Sequence, residues 1–158
     1  ERLFELEKAD QIANFADYCN HCGNCDTFCP EYDGPYLKKP NFYGSRRAFD
    51  AGAPHDGYLL EQSSRALTLH CRIQGRTYRL DQLTNGDGHH YDDGMVAILV
   101  STDGTISLDT ATTTPIPRHV VDVGRYHAVA TLLRGITDPT RVHAINTPLL
   151  AKVGSDCA

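Results

Sequence analysis

The sequence has no apolar run approaching the ~18 residues that a membrane helix needs, no excess of basic charge, and no cysteines spread evenly along it. The first absence removes a membrane span from the expectations. The second, a formal net charge of −5, argues against a nucleic-acid surface, which is normally basic. The third argues against a disulfide-stapled domain, whose cysteines would be distributed to join distant loops. No secretory leader is expected either, because Glu1-Arg2-Leu3-Phe4-Glu5-Leu6-Glu7-Lys8 has no basic start followed by an apolar stretch. Nor does the chain open on methionine, which reads as a processed chain or a piece of a longer one. The expected location is cytoplasmic.

What is present begins with size. A length of 158 residues matches one domain. The apolar fraction is about 44 % with glycine counted, just below the ~45–50 % of globular chains, so one modest core is expected.

Four of the six cysteines are bunched: Cys19, Cys22, Cys25 and Cys29, with Pro30 directly after. The spacing Cys-x2-Cys-x2-Cys-x3-Cys-Pro is the bacterial ferredoxin run for a [4Fe–4S] cluster. A cubane presents iron corners a few ångströms apart, so three thiolates must converge from one short, tightly wound loop. Two-residue gaps allow that, and Gly23 permits a turn with positive φ. Tyr18 and Phe28 are placed in sequence to shield a cluster from water. Pro30 stops a helix from starting at the fourth cysteine and pulls that residue away from the loop. The expected metal ligands are therefore Cys19, Cys22, Cys25 and Cys29, with Tyr18, Gly23, Phe28 and Pro30 shaping the site.

Cys29 leaves two readings open. In two-cluster ferredoxins the last cysteine of this run ligates the other cluster. A second motif would then lie upstream or in a partner chain; otherwise Cys29 closes a single cluster locally. A structural zinc site also takes four cysteines, but usually as two pairs separated by a longer loop. Cys71, in a strand pattern, reads as a buried small hydrophobe, and Cys157 as an incidental thiol.

The stretch from Ala16 to Pro30, followed by Gly34-Pro35-Tyr36, resembles the C-terminal segment of the family of putative selenate reductases. These are flavin and iron–sulfur oxidoreductases related to the glutamate synthase small subunit and to dihydropyrimidine dehydrogenase. The resemblance runs from about Ala16 to Leu83 and weakens beyond, where an insertion around Thr84–Asp109 intervenes. It implies a preceding cysteine motif that would complete a two-cluster module. It also implies FAD and NAD(P)H on partner or missing domains, so that a flavin-containing oxidoreductase domain or subunit is the expected partner within a larger complex.

Elsewhere the pattern is structural. Residues Glu1–Phe15 read as a short amphipathic helix. From Glu31 to His55 the Pro, Gly, Asn and Asp content suggests an irregular surface stretch, with Arg46 and Arg47 solvated. Leu67–Ile73 and Arg76–Leu80 form a hairpin about Gln74-Gly75, pairing Cys71 with Tyr78 and Leu69 with Leu80. A second hairpin, Met95–Val100 with Thr105–Leu108, turns through Thr102-Asp103-Gly104 and pairs Val100 with Ile106 and Ile98 with Leu108. Between the hairpins, Thr84–Gly94 carries His89-His90 and reads as a loop rather than a metal site. Pro117 is expected to open a helix through Leu133 or Arg134, carrying His119 and His127, with Gly135 and Pro139 ending it.

The expected fold is α+β: a ferredoxin-type iron–sulfur segment plus a small antiparallel sheet of two hairpins with one packed helix. Its divisions are 1–45 for the cluster segment and N-terminal helix, 46–66 for a linker, 67–140 for the hairpins and helix, and 141–158 for a tail. The leading functional reading is an electron-transfer module relaying electrons between a flavin- and nicotinamide-dependent oxidoreductase and another redox centre. In that role the cluster carries the chemistry and no side chain acts as acid, base or nucleophile. The alternative is a structural or interaction subunit whose cysteine loop is held by a cluster or zinc without redox turnover.

Overall fold

A computed structural model describes residues 13–28, 34–64, 66–83, 88–111, 114 and 116–148. Its strands are β1 (Asn14–Phe15), β2 (Asn41–Tyr43), β3 (Gly57–Gln62), β4 (Ala66–Ile73), β5 (Arg76–Leu83), β6 (His89–Asp92), β7 (Ala97–Val100) and β8 (Ile106–Leu108). They form one eight-stranded sheet in chain order. β1–β2 and β2–β3 pair parallel, and every later pair is antiparallel. Three helices accompany the sheet: α1 (Pro35–Lys38), α2 (Arg46–Ala51) and α3 (Val123–Thr137).

The antiparallel half follows from its turns. Gln74 and Gly75 have φ of 53° and 73°, two consecutive left-handed residues. That is the geometry whose twist matches the flanking strands. It sets Leu69 opposite Leu80 and Cys71 opposite Tyr78, as the alternation predicts. The second hairpin likewise pairs Ile98 with Leu108 and Val100 with Ile106, with Gly104 left-handed at φ 84°. Because side chains alternate across a strand, the matched residues Leu60, Leu69, Leu80, Tyr91, Ile98 and Leu108 lie in one row across six strands.

Helix α3 joins that side. Its residues Tyr126, Val129, Ala130, Leu133 and Ile136 are buried at helical spacing and belong to one core with Phe42, Leu69, Cys71, Leu80, Tyr91 and Ile98. The helix starts later than the sequence pattern suggests. Asp122 caps it by accepting a hydrogen bond from the Arg125 amide at 3.1 Å. The residues after Pro117 stay outside the helix: Arg118 is left-handed at φ 66° and Val120 is 84 % exposed. The last turn reaches Thr137, just short of Pro139.

The expected fold needs correction. The sheet has eight mixed strands rather than two antiparallel hairpins, and it begins just before the cysteine loop, so no ferredoxin-type cluster fold stands apart from it. β1 and β2 are too short, at two and three residues, to show periodicity. Within 46–66 lie α2 and β3; α2 lies in the crossover that carries the chain from β2 to β3, its parallel neighbour. Ser45 caps α2 by accepting from the Ala48 amide at 3.2 Å. Residues 89–92 form β6 although two histidines and an aspartate fill it, because its polar side chains find partners on both faces. The expected N-terminal helix falls mostly outside the described residues, and its last two positions, Asn14–Phe15, are β1.

The opposite face of the sheet is polar. Buried Phe49 of α2 lies under the Arg72 guanidinium, 4.4 Å from its ring centroid, while Arg72 donates to the Phe49 carbonyl at 3.0 Å and to the His55 carbonyl. Glu61 pairs with Arg46 and, at 3.0 Å, with His70. Asp81 accepts from Thr68 at 2.6 Å and Arg79 at 3.0 Å. His90 sits between two carboxylates, 3.3 Å from Asp81 and 3.0 Å from Asp109.

Two outcomes are expected. Leu80→Ala, which empties a fully buried site, lowers unfolding free energy by about 2–5 kcal/mol in a urea titration. Leu99→Ala, on the other face and 38 % exposed, lowers it far less. Burial, and then the Arg46 cation, hold the His70 imidazole below its ordinary 6.5. Burial and Arg134 do the same to His89. The unfolded chain therefore takes these protons first, so stability is full above pH 6.5 and falls as the pH drops below it. Glu61 and Asp93, held below 4.5 and 3.8, lose their contributions only at still lower pH. Urea midpoints between pH 6.5 and 4.5 should fall for the native chain and fall less for His70→Gln.

Candidate functional site

The cysteine loop leaves the sheet at the end of β1 and returns through α1 to β2. Its base is fastened by polar and aromatic contacts. Asn14 donates to Asn41 at 2.6 Å across the β1–β2 pair. Asn41 in turn donates to the Tyr36 carbonyl at 3.1 Å, and the Gly44 amide donates to Asp17 at 3.1 Å. Higher in the loop, the His21 ring stacks on Tyr36 with centroids 5.2 Å apart. These partners are far apart in sequence, and only the Gly34-Pro35-Tyr36 similarity hinted that the second half belonged to the site.

The loop winds tightly around its thiols. One 3-10 turn, Ala16–Tyr18, precedes Cys19, and a second, Asn24–Thr27, carries Cys25. Between them His21 and Gly23 are left-handed at φ 55° and 78°. Gly23 takes that conformation without steric penalty. Asn20 accepts from the Cys22 amide at 3.2 Å and so shapes the first gap.

Cys19, Cys22 and Cys25 are free thiols, the first half-buried and the other two exposed. Desolvation, then the adjacent Asp26 carboxylate, push the Cys25 thiol above its ordinary value; nearby Cys19 adds to the effect. Tyr18 and Phe28 are 85 % and 88 % exposed, with Tyr18 leaning on Phe15 at 5.1 Å. Cys29 and Pro30 lie outside the described residues.

In kind, these donors suit a soft thiolate-bound centre: three unpaired sulfurs sit on one short loop. In placement they are not gathered. Among the described residues, no three His, Cys, Asp or Glu side chains stand close enough to hold a metal ion.

The remaining chemistry-bearing residues divide cleanly. Cys71 is buried in the core, and burial pushes its thiol far up, which makes it inert. Cys157 lies outside the described residues. Adjacent His89 and His90 occupy one strand and so face opposite sides of the sheet. His89 meets the Tyr126 hydroxyl at 2.9 Å, and His90 the two aspartates. His119, which precedes α3, pairs with Asp93 at 2.6 Å. No alternation in so short a polar segment announced these contacts.

Among the described residues, no helix is long and apolar enough to cross a membrane. No family model matches the chain, and no solved structure matches it. Over 77 residues the chain is 31 % identical to the protein named "Putative oxidoreductase YgfK" of Escherichia coli strain K12, and equally to that of strain O157:H7. The matched stretch is 49 % of this chain but only 7 % of the relative's length. That similarity relates the chain to an oxidoreductase and suggests a redox-related role.

Alkylation should separate the thiols. With iodoacetamide and mass spectrometry, Cys22 and Cys25 of the native chain should be modified and Cys71 only after denaturation. Since the thiolate is the nucleophile, the raised pKa of the Cys25 thiol predicts slower labelling at neutral pH than for a free cysteine, and a rise as pH increases.

Proposed function

We propose that this chain is the cluster-bearing, electron-relaying part of a larger oxidoreductase. The observation that carries the reading is the set of thiols at Cys-x2-Cys-x2-Cys-x3-Cys spacing, free and unpaired where described, in a chain similar to an oxidoreductase. Cys19, Cys22 and Cys25, joined by Cys29, would hold a [4Fe–4S] cluster, which supplies one-electron chemistry when bound.

The protein's own contribution is ligation and shielding. Because metal binding and loop folding are coupled, the short loop carrying Cys19, Cys22 and Cys25 would adjust as these thiolates took up the cluster. The fastened base at Asn14, Asn41, Asp17 and Gly44 limits how far the loop can move while that happens. Tyr18 and Phe28, both exposed, are rings available to lie over a bound cluster and reduce its contact with water. Amides at the left-handed Gly23 turn can donate to cluster sulfurs, which raises the potential, while burial of the anionic cluster lowers it.

The electron source lies elsewhere. The resemblance implies FAD and NAD(P)H on domains or subunits beyond these residues, and the matched stretch is only 7 % of the relative's length. The same reasoning assigns Cys29 to a second cluster wherever a second cysteine motif is supplied.

Anaerobic reconstitution of the 158-residue chain with iron and sulfide should yield a brown protein with about four irons and an EPR signal on dithionite reduction. Cys22→Ser should bleach it, whereas Cys71→Ala should keep its iron and lose only packing stability. A colourless protein holding one zinc, or an iron content unchanged by Cys22→Ser, would overturn the assignment.

A further inference from the structure

A second feature lies in the core and needs no cluster. Three tyrosines from three elements stand in file. Tyr78 of β5 stacks on Tyr91 of β6 with ring centroids 6.3 Å apart, and Tyr91 meets Tyr126 of α3 edge-on at 5.6 Å. Both spacings fall within the ~4.5–7 Å of aromatic pairs in contact. Tyr126 is 6 % exposed and ends the file on an imidazole, its hydroxyl 2.9 Å from Nδ1 of His89.

The three phenols differ in where a proton can go. Removing one electron from a phenol turns it into a strong acid. Tyrosine is therefore oxidised readily only where a base within hydrogen-bond reach, ~2.6–3.2 Å, takes the proton in the same step. Tyr91 lacks one, because its hydroxyl is buried with no hydrogen-bond partner among the described residues. At half-buried Tyr78 the Arg125 guanidinium lies 5.7 Å from the ring centroid, and its charge opposes a second positive charge there. Tyr126 has the base. Burial, and then Arg134, hold the His89 imidazole below its ordinary 6.5, so near neutral pH it is uncharged. With its ring hydrogen on Nε2, that imidazole accepts from the Tyr126 hydroxyl at Nδ1.

We infer that Tyr126 and His89 form a proton-coupled redox pair, in which a one-electron oxidant of the peroxide-derived radical class takes an electron from the Tyr126 ring while its hydroxyl proton passes to His89 Nδ1. The O–H bond of Tyr126 breaks and an N–H bond forms on His89. The products are a neutral phenoxyl radical, an imidazolium and the oxidant reduced by one electron. The oxidising equivalent enters at half-buried Tyr78, and the Tyr91 ring carries it inward to the phenol of the three whose proton has a taker. Burial then shields the radical from solvent. The same surroundings that keep His89 uncharged disfavour its imidazolium, so the proton returns when a one-electron reductant such as ascorbate refills the ring. The pair is a reversible sink for oxidising equivalents.

Flash photolysis of the full chain with ruthenium tris-bipyridine and persulfate, followed by freeze-quench EPR, tests this. The native chain should give a long-lived tyrosyl signal. Pulsed EPR after exchange into deuterated water should find a deuteron hydrogen-bonded to the phenoxyl oxygen. Tyr126→Phe should abolish the long-lived signal. His89→Gln keeps a hydrogen-bond acceptor but cannot take a proton, and should cut the yield by about tenfold or more, whereas a purely structural hydrogen bond would leave it unchanged. A signal that survives Tyr126→Phe, a yield unchanged in His89→Gln, or a phenoxyl oxygen without an exchangeable deuteron would each overturn the proposal. The last measurement uses the native chain, so it decides even where a variant fails to fold. None of these readouts involves iron, so they stand or fall apart from the reading of the cysteine loop.

Discussion

A two-residue turn decides which side of this protein is greasy. With Gln74 and Gly75 both left-handed, β4 and β5 can meet in one register only, and later strands copy it outward. Gln74 is not glycine, and L-residues resist that conformation by ~1–2 kcal/mol. Its amide is held in compensation by Asp56, at 2.8 Å, just ahead of β3. The register places Leu69, Leu80, Tyr91 and Ile98 side by side beneath α3. A slip of one residue would exchange them for Thr68, Asp81, His90 and Leu99, leaving charges under an apolar helix.

That same register creates the polar row on the other face. Glu61, Thr68, Asp81 and His90 lie in one row across four strands, where Asp81 accepts from Thr68 and meets His90 while Glu61 pairs with Arg46 and His70. Asp81 is almost wholly buried but accepts from a hydroxyl and a guanidinium, with an imidazole close by. Removing one member would strand a buried charge, which is where such networks are most sensitive. Ion pairs nearer the surface, such as Arg46 with Glu61, matter less because solvent screens them.

How much of this could be read from the chain depended on the range of the interaction. Both hairpins were legible because a turn and its flanking alternation lie within about twenty residues. β1 and β2 were not, since two- and three-residue parallel strands derive their identity from partners far along the chain. β6 was hidden by composition: His89-His90-Tyr91-Asp92 looks like a loop until Tyr126, Asp81 and Asp109 are seen to receive its side chains. The start of α3 misled because Pro117 suits a first turn, whereas the cap is Asp122. Within the cysteine loop the donors were plain from spacing, while its fastening to Asn41 and Gly44 was not.

The cysteines show most directly how environment assigns chemistry to a residue type. Cys71 and Cys22 carry the same thiol, yet one is fixed among Leu69, Leu80 and Tyr91 while the other is open to solvent on a turn. In the core, a thiolate would lose its hydration and the Arg125 cation offsets only part of that cost, so the sulfur behaves as a small hydrophobe. On the loop, hydration is retained, the sulfur can ionise, and a metal can reach it. Desolvation, and then the adjacent Asp26 carboxylate, disfavour the Cys25 thiolate. The sheet supplies the complementary property, an edge to which the base of the loop is fastened through Asn14, Asn41, Asp17 and Gly44.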